Sequence, residues 1–186
     1  MDAIDKTTAI VLAGGKGSRM NYQEKAWLIH RDKPLIMHVL DCITSQVSNT
    51  LISRNQLDER YESLPYACFK DSDHQFEGPL SGIVACLRGV KTEYALVVPC
   101  DAPNLPGNLV TGLMEGIKDS DVCIAQDSER DQPLIMLART DVLESINRYL
   151  SEGRRSVHGW LNRHDFARVR FPEHQLHNIN EVAQLE

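Results

Sequence analysis

The stretch that most limits how this chain can fold is a short apolar run followed at once by a glycine-rich turn. Residues 8–12, Thr-Ala-Ile-Val-Leu, do not alternate between apolar and polar side chains, which predicts a strand buried on both faces. Three glycines and three cations come next, namely Gly14, Gly15, Gly17, Lys16, Arg19 and Lys25. Glycines bring backbone N–H groups close to a ligand, and successive N–H groups form a concave anion site. The stretch therefore indicates a polyphosphate loop, with a plain tight turn as the alternative.

Two familiar phosphate-binding patterns do not fit this turn. A P-loop needs four residues between its first glycine and Gly-Lys-Ser or Gly-Lys-Thr, and no segment here has that form. The dinucleotide fingerprint counted from Gly15 would need a third glycine at position 20, which is Met20. The remaining interpretation is a loop that uses backbone N–H groups together with Arg19 and Lys25 as the phosphate clamp.

Composition narrows the classes of protein to consider. The chain has 186 residues, of which 42% are hydrophobic, so we expect a single globular domain over residues 1–186. The net charge of −6 argues against a sequence-independent nucleic-acid binder. No apolar run approaches the roughly 20 residues of a membrane span. Five dispersed cysteines without a Cys-x-x-Cys pair, and a polar N-terminus, predict a reduced, cytoplasmic protein.

Strand-like and helix-like stretches alternate along the chain after the glycine turn. Strands are predicted at 8–12, 50–53, 66–69, 94–99, 122–125, 134–138 and 167–171. Helices are predicted at 34–44, at a segment capped by Ser81, and at 109–117, 141–150 and 157–163. This order predicts an α/β domain with a mostly parallel sheet and helices on both faces. The charged stretches 127–132 and 151–155 are predicted to be surface loops.

Two aspartates are expected to lie beside the glycine turn. Open parallel sheets bind ligands at the carboxyl ends of their strands, and Asp71 and Asp101 each follow a predicted strand. Mg²⁺ prefers one or two carboxylates plus water and phosphate oxygens, and Asp101 is the best candidate for such a ligand. From the residues alone, Asp101 could equally form an Asx turn or a helix N-cap, and Asp71 could be a solvated loop acid.

Nearly the whole chain, and most specifically residues 9–25 and 71–106, resembles the nucleotidyltransferases that activate NTPs, and most closely the molybdenum cofactor guanylyltransferases. The matching motifs are Leu-Ala-Gly-Gly-x-Gly-x-Arg-Met with a following lysine, Asp-x₆-Gly-Pro-Leu-x-Gly, and Cys-Asp-x-Pro. The resemblance implies a three-layer α/β/α, Rossmann-like nucleotidyltransferase fold. It also implies that Leu12, Ala13, Gly14, Gly15, Ser53, Asp71, Gly78, Pro79 and Leu80 line the nucleotide, that Arg19 and Lys25 hold the triphosphate, and that Asp101 holds Mg²⁺.

The chain departs from the family pattern at several positions. The family usually has Met-Gly-Gly-x-Asp-Lys-Gly-Leu, whereas residues 20–27 here are Met-Asn-Tyr-Gln-Glu-Lys-Ala-Trp, which is bulkier around Lys25. Ser53 occupies the place of a usual asparagine, so either one nucleotide contact is lost or Asn55 supplies it. Weaker matches are Gln132 in place of a histidine, the turn 153–157, and the closing Asn-x-Asn of residues 178–180. Arg154 and Arg155 in that turn could hold the second substrate or form a solvated helix end.

The resemblance implies transfer of GMP from GTP to the phosphate of molybdopterin (Mo-molybdopterin), with release of pyrophosphate and formation of the guanine dinucleotide cofactor. Three alternatives remain: a molybdopterin cytidylyltransferase, a sugar-phosphate nucleotidyltransferase, and an inactive nucleotide-binding module. The expected partners are GTP, molybdopterin, and proteins that deliver the cofactor or mature molybdoenzymes. We expect a monomer that binds neither nucleic acid nor membrane.

Overall fold

The computed structural model describes residues 2–14, 24–55, 58–70, 78–180 and 184–185. Within these residues the strands are β1 (Thr7–Leu12), β2 (Ile29–His30), β3 (Lys33–Pro34), β4 (Asn49–Arg54), β5 (Ala67–Lys70), β6 (Tyr94–Pro99), β7 (Val122–Gln126), β8 (Asp131–Arg139) and β9 (Phe166–Arg170). The α-helices are α1 (Leu35–Ile43), α2 (Pro79–Leu87), α3 (Leu109–Ile117), α4 (Leu143–Ser151), α5 (Val157–Leu161) and α6 (Glu173–Leu176). Short 3₁₀ helices lie at Lys25–Trp27, Thr44–Gln46, Glu59–Ser63 and Thr140–Val142.

Seven of these strands form one sheet in the order β5-β4-β1-β6-β8-β7-β9. β8 is antiparallel to both of its neighbours, and every other pairing in the sheet is parallel. β1, β4, β5, β6, β7 and β9 therefore run in the same direction, and their carboxyl ends lie at one edge of the sheet. The prediction of a mostly parallel sheet is confirmed.

Helices cover both faces of the sheet, which explains why β1 is apolar throughout. All six residues of β1 are buried. Ala9 and Val11 pack in one hydrophobic core with α1 and α3, whereas Ile10 and Leu12 pack in the other with α2 and α4. Successive side chains of a strand point to opposite faces, so a strand between two helical layers needs apolar residues at every position. The three-layer arrangement is thus confirmed.

The start of α2 differs from the sequence-based prediction. Ser81 does not cap this helix, because the helix begins two residues earlier with Pro79 at its first position. The residue before it, Gly78, has a φ of +136°, which favours glycine. The Ser81 hydroxyl donates a hydrogen bond of 2.7 Å to the Gly78 carbonyl. The fixed φ of proline, suited to a first turn, therefore decides where this helix begins.

The sequence-based prediction missed several short elements. It did not include the β2–β3 hairpin, the 3₁₀ helices or α6. The stretch 127–132, predicted to be a surface loop, belongs in part to β8, since Gln126 of β7 pairs with Asp131 of β8. Among the described residues, no helix is both long and apolar enough to cross a bilayer.

Candidate active site

A cavity of about 220 Å³ opens where β1, β4 and β6 end. Its wall also includes the first turn of α2 and one residue of β8, because β8 runs antiparallel and begins near this edge. The lining residues are Leu12, Ala13, Gly14, Lys25, Ser53, Asn55, Gly78, Pro79, Gly82, Pro99, Cys100, Asp101 and Leu134. The structure therefore brings together eight of the residues proposed from the sequence: Leu12, Ala13, Gly14, Lys25, Ser53, Gly78, Pro79 and Asp101.

Two backbone hydrogen bonds fix the chain where it leaves β1. The Ala13 N–H donates to the Ser53 carbonyl (2.8 Å), and the Cys100 N–H donates to the Leu12 carbonyl (3.1 Å). Gly14 comes directly afterwards, and the Asn55 side chain lies against it. A Cβ atom at position 14 would be 2.9 Å from Asn55 Oδ1, which is closer than real contacts allow. Glycine at this position therefore lets the Asn55 amide reach the cavity wall.

Asp101 is the central carboxylate of the site. Its side chain is largely buried, and Oδ2 forms an ion pair with Lys25 Nζ. Oδ1 is buried and has no hydrogen-bond partner within the described residues. Asp101 does not cap a helix, because the next helix, α3, begins at Leu109 with Asn108 as its N-cap. The geometry thus gives no support to the purely structural alternative for Asp101.

Lys25 reaches Asp101 from the 3₁₀ helix Lys25–Trp27. Its ammonium group also donates to Asn180 Oδ1 at 3.1 Å. The neighbouring Ile179 N–H donates to the Asp101 carbonyl at 2.9 Å. Two residues of the closing Asn-x-Asn segment therefore form hydrogen bonds with site residues. Asn180 was not among the site residues proposed from the sequence. The weak match of residues 178–180 to the Asn-x-Asn motif of the family was the signal that could have indicated it.

Ser53 and Asn55 differ in how they present polar atoms to the cavity. Ser53 is only 2% exposed, and its Oγ lies so close to Gly82 that a side chain at position 82 would overlap it. Asn55 is exposed on the cavity wall. Both lie at or just beyond the end of β4, so the geometry is compatible with either residue contacting the nucleoside.

Leu80 is a correction to the proposed set of site residues. Its side chain is fully buried in the hydrophobic core beneath α2 and does not line the cavity. The reason is helical geometry, because Pro79 and Gly82 face the cavity while Leu80 faces the sheet. Gly15, Arg19 and Asp71, together with Lys16 and Gly17, lie outside the described residues.

The segments with weaker family matches have structural partners of their own. Asp127 is 3% exposed and accepts hydrogen bonds from the Glu129 N–H, the Arg130 N–H and Gln132 Nε2, each at 2.8 Å. These hydrogen bonds, the one from Glu129 foremost, hold the pKa of Asp127 below its usual range. Gln132 therefore stabilises the β7–β8 turn.

The turn between α4 and α5 lies close to the cavity without lining it. Arg155 Nη1 donates to the Leu150 carbonyl at 3.1 Å, and Arg154 pairs with Glu152 at 3.3 Å. A Cβ atom at Gly78 would be 3.9 Å from the Arg155 carbonyl, so the two loops are neighbours. Within the described residues, no group of three or more His, Cys, Asp or Glu side chains could hold a metal ion.

Comparisons with known proteins agree with this architecture. Residues 9–169 match the family model of the MobA-like NTP transferase domain. Two relatives named molybdenum cofactor guanylyltransferase, from Shewanella sp. (strain MR-4) and Shewanella pealeana, are 35% and 33% identical over 180 residues. Each alignment covers 95% of this chain, and 91% and 90% of the respective relatives.

Solved structures with lower sequence identity show the same fold. Molybdopterin-guanine dinucleotide biosynthesis protein A from Archaeoglobus fulgidus superposes with a TM-score of 0.75 and 23% identity, over 95% of this chain and 93% of that one. A CMP:2-keto-3-deoxy-manno-octonic acid synthetase complexed with CTP has a TM-score of 0.76 and 13% identity, over 96% and 95% of the two chains. The fold and the cavity thus define a nucleotidyltransferase-type domain. The chain belongs to the MobA-like NTP transferase family.

Proposed function

We propose that this protein transfers GMP from GTP to the phosphate of molybdopterin (Mo-molybdopterin), forming the molybdopterin guanine dinucleotide cofactor and releasing pyrophosphate. The observation that carries the proposal is the pairing of Lys25 with Asp101 in the cavity, in a chain about one-third identical to the guanylyltransferases along nearly its whole length. Residues 1–186 act as one nucleotidyltransferase domain, in the cytoplasm and as a monomer.

The chain supplies binding and charge rather than a covalent intermediate. Leu12, Ala13, Gly14 and Gly15 line the nucleotide, and Lys25 with Arg19 holds the triphosphate and the charge that develops on departing pyrophosphate. Ser53 or Asn55, Asp71 and the start of α2 hold the nucleoside. Catalysis of this kind depends mainly on aligning the molybdopterin phosphate with the α-phosphorus of GTP. The turn that contains Arg154 and Arg155 lies near enough to bind the second substrate.

The donor set fits a magnesium ion. Asp101 Oδ1 is a buried carboxylate oxygen with no protein partner among the described residues, which is the kind of atom that a hard cation satisfies. Asn180 Oδ1 and the other carboxylate oxygen of Asp101, Oδ2, both contact Lys25 Nζ, so the two side chains meet at the same ammonium group. Asp101, assisted by Asn180, would hold Mg²⁺, which when bound neutralises phosphate charge.

The test is pyrophosphate release with Mg²⁺, molybdopterin and either GTP or CTP. Release with GTP alone would support the proposal for both the reaction and the base. Release with CTP alone would keep the reaction and replace the base, giving the cytidylyltransferase. If neither nucleotide is consumed, sugar phosphates are tried next as acceptors, and saturable GTP binding without any turnover would indicate an inactive module.

A further inference from the structure

The segment around Lys25, where the chain departs from the family pattern, rests on a buried tyrosine from another loop. Tyr61 lies in the 3₁₀ helix Glu59–Ser63 and is 1% exposed. We propose that Tyr61 is a positioning residue that holds the Lys25 ammonium group opposite Asp101. The proposal deepens the proposed function and rests on the phosphate-clamp role of Lys25 given there.

Tyr61 contacts the residues on both sides of the Lys25–Ala26 pair. Its hydroxyl donates to Glu24 Oε1 at 2.8 Å, and its ring packs edge-to-face on Trp27 with the ring centroids 5.1 Å apart. Burial and the Glu24 carboxylate raise the pKa of Tyr61, so the hydroxyl keeps its proton and remains a donor. One side chain therefore fixes both flanks of the lysine.

The backbone between these two flanks is equally constrained. The Trp27 N–H donates to the Glu24 carbonyl (3.0 Å) and the Leu28 N–H donates to the Lys25 carbonyl (3.2 Å). Ala26 is fully buried in the hydrophobic core. The position of the Lys25 Cα atom thus follows from how residues 24–27 pack, and Tyr61 provides the polar part of that packing.

Tyr61 also joins two loops that contribute to the cavity. The Arg54 guanidinium lies 5.7 Å from the centroid of the Tyr61 ring, and Arg54 directly precedes Asn55 on the cavity wall. Arg60, the neighbour of Tyr61, stacks over Trp27 at 4.9 Å and forms a forked ion pair with Asp58. The tyrosine is therefore placed to hold the segment that contains Lys25 against the end of β4.

Loss of the Tyr61 hydroxyl should displace Lys25 through Glu24. Glu24 Oε2 is already buried without a partner in the described part of the chain. Without the Tyr61 hydroxyl, Oε1 would lose its 2.8 Å donor while the carboxyl remained beside Asp58, and such a group gains by turning toward water. Because Glu24 directly precedes Lys25, loss of this anchor would loosen the backbone from which the lysine reaches Asp101.

The experiment compares four variants by steady-state pyrophosphate release at a temperature well below each melting point. Tyr61→Phe should raise the KM for GTP and lower kcat/KM by between about ten- and a hundredfold, since small misplacements of a catalytic group cost that much. Glu24→Ala should act similarly, whereas Glu24→Gln keeps an acceptor oxygen for Tyr61 and should retain most of kcat/KM. Ser145→Ala, which removes a half-buried hydroxyl remote from the cavity, is the matched control with an unchanged KM. A merely structural role would lower the amount of active protein, and hence kcat, without changing KM.

A double-mutant cycle with Lys25→Ala then tests the route of the effect. If Tyr61 acts through Lys25, Tyr61→Phe should change kcat/KM little in the Lys25→Ala background. Equal effects of Tyr61→Phe in both backgrounds, or an unchanged KM in Tyr61→Phe, would overturn the positioning role. An unaltered Lys25→Ala enzyme would instead refute the clamp on which the proposal rests, so the two failures are distinguishable.

Discussion

The Lys25–Asp101 pair can be compared with a second polar cluster, formed by Ser145, His164 and Asp121, at the opposite edge of the sheet. Asp121 directly precedes β7, and that strand starts at the edge away from the cavity. Ser145 Oγ lies 2.6 Å from His164 Nε2, and His164 Nδ1 lies 3.1 Å from Asp121 Oδ2. These are the residue types and distances of a hydrolase triad.

The two clusters differ in how their polar atoms are satisfied. Ser145 lies within helix α4, and the buried Trp160 indole donates to its Oγ at 3.0 Å, so the hydroxyl already serves two neighbours. Asp101, in contrast, leaves one buried oxygen without a partner among the described residues. A structural cluster uses its hydrogen-bonding capacity internally, whereas a functional one leaves some of it for a ligand. The unpaired oxygen therefore distinguishes the two more sharply than residue identity does.

The largest effect should come from Asp101→Asn. We expect turnover to fall roughly a thousandfold, because the change removes charge worth several kcal/mol in stabilising the transition state. The fold should persist, since Asn is isosteric with Asp. Pyrophosphate release measures the first expectation and thermal unfolding the second. Normal turnover would exclude Asp101 from the metal role and would remove the contrast between the clusters.

Lys25→Ala should have the next largest effect. We expect kcat/KM for GTP to fall about a hundredfold, as is typical when one stabilising group of a charged transition state is removed. Thermal stability should fall only modestly, because the Lys25 side chain is partly exposed and the Asp101 carboxylate that it leaves unpaired lines an open cavity. The same two measurements apply, and an unfolded variant would show that Lys25 is structural.

Ser145→Ala tests the second cluster of the comparison. The variant leaves Trp160 Nε1 and His164 Nε2 without their shared partner. We expect the free energy of unfolding to fall by about 1–3 kcal/mol, with kinetic constants unchanged. Urea denaturation measures the first quantity. A large loss of activity in folded Ser145→Ala protein would mean that this cluster contributes to function after all.

The smallest effect should be a pH-dependent stabilisation by Glu24→Gln. Burial, and to a lesser extent the neighbouring Asp58, raises the pKa of Glu24 above its ordinary value of 4.5. The folded state thus favours the protonated carboxyl, and its contribution to stability is full below pH 4.5 and is lost as the pH rises through the folded-state pKa. The difference in melting temperature between Glu24→Gln and the wild type should therefore shift in favour of Glu24→Gln as the pH rises from 4.5 through the folded-state pKa. A constant difference across pH would contradict the assignment.

Regular elements were predictable because local patterns and tertiary packing agree there. β6 and α3 occupy the predicted residues 94–99 and 109–117, since a continuous apolar run and a helical stripe each match their burial. The β2–β3 hairpin escaped prediction because its turn residues, Arg31 and Asp32, have positive φ without being glycine or asparagine. Asn180 and Tyr61 were missed for a different reason, because their contacts join distant parts of the chain that no local pattern connects.

The docking of the 178–180 segment onto the end of β6 has a consequence for the order of folding. The contacts of Lys25 with Asp101 and Asn180 span 76 and 155 positions of the sequence, so both depend on closing very long loops. Loop closure of this kind is a slow step, and it cannot precede synthesis of the last strand and the residues beyond it. In a chain emerging from the ribosome, Lys25 therefore cannot contact Asn180 until residues far beyond it have been synthesised. The triphosphate clamp proposed for Lys25 would therefore be complete only after the C-terminal segment has docked.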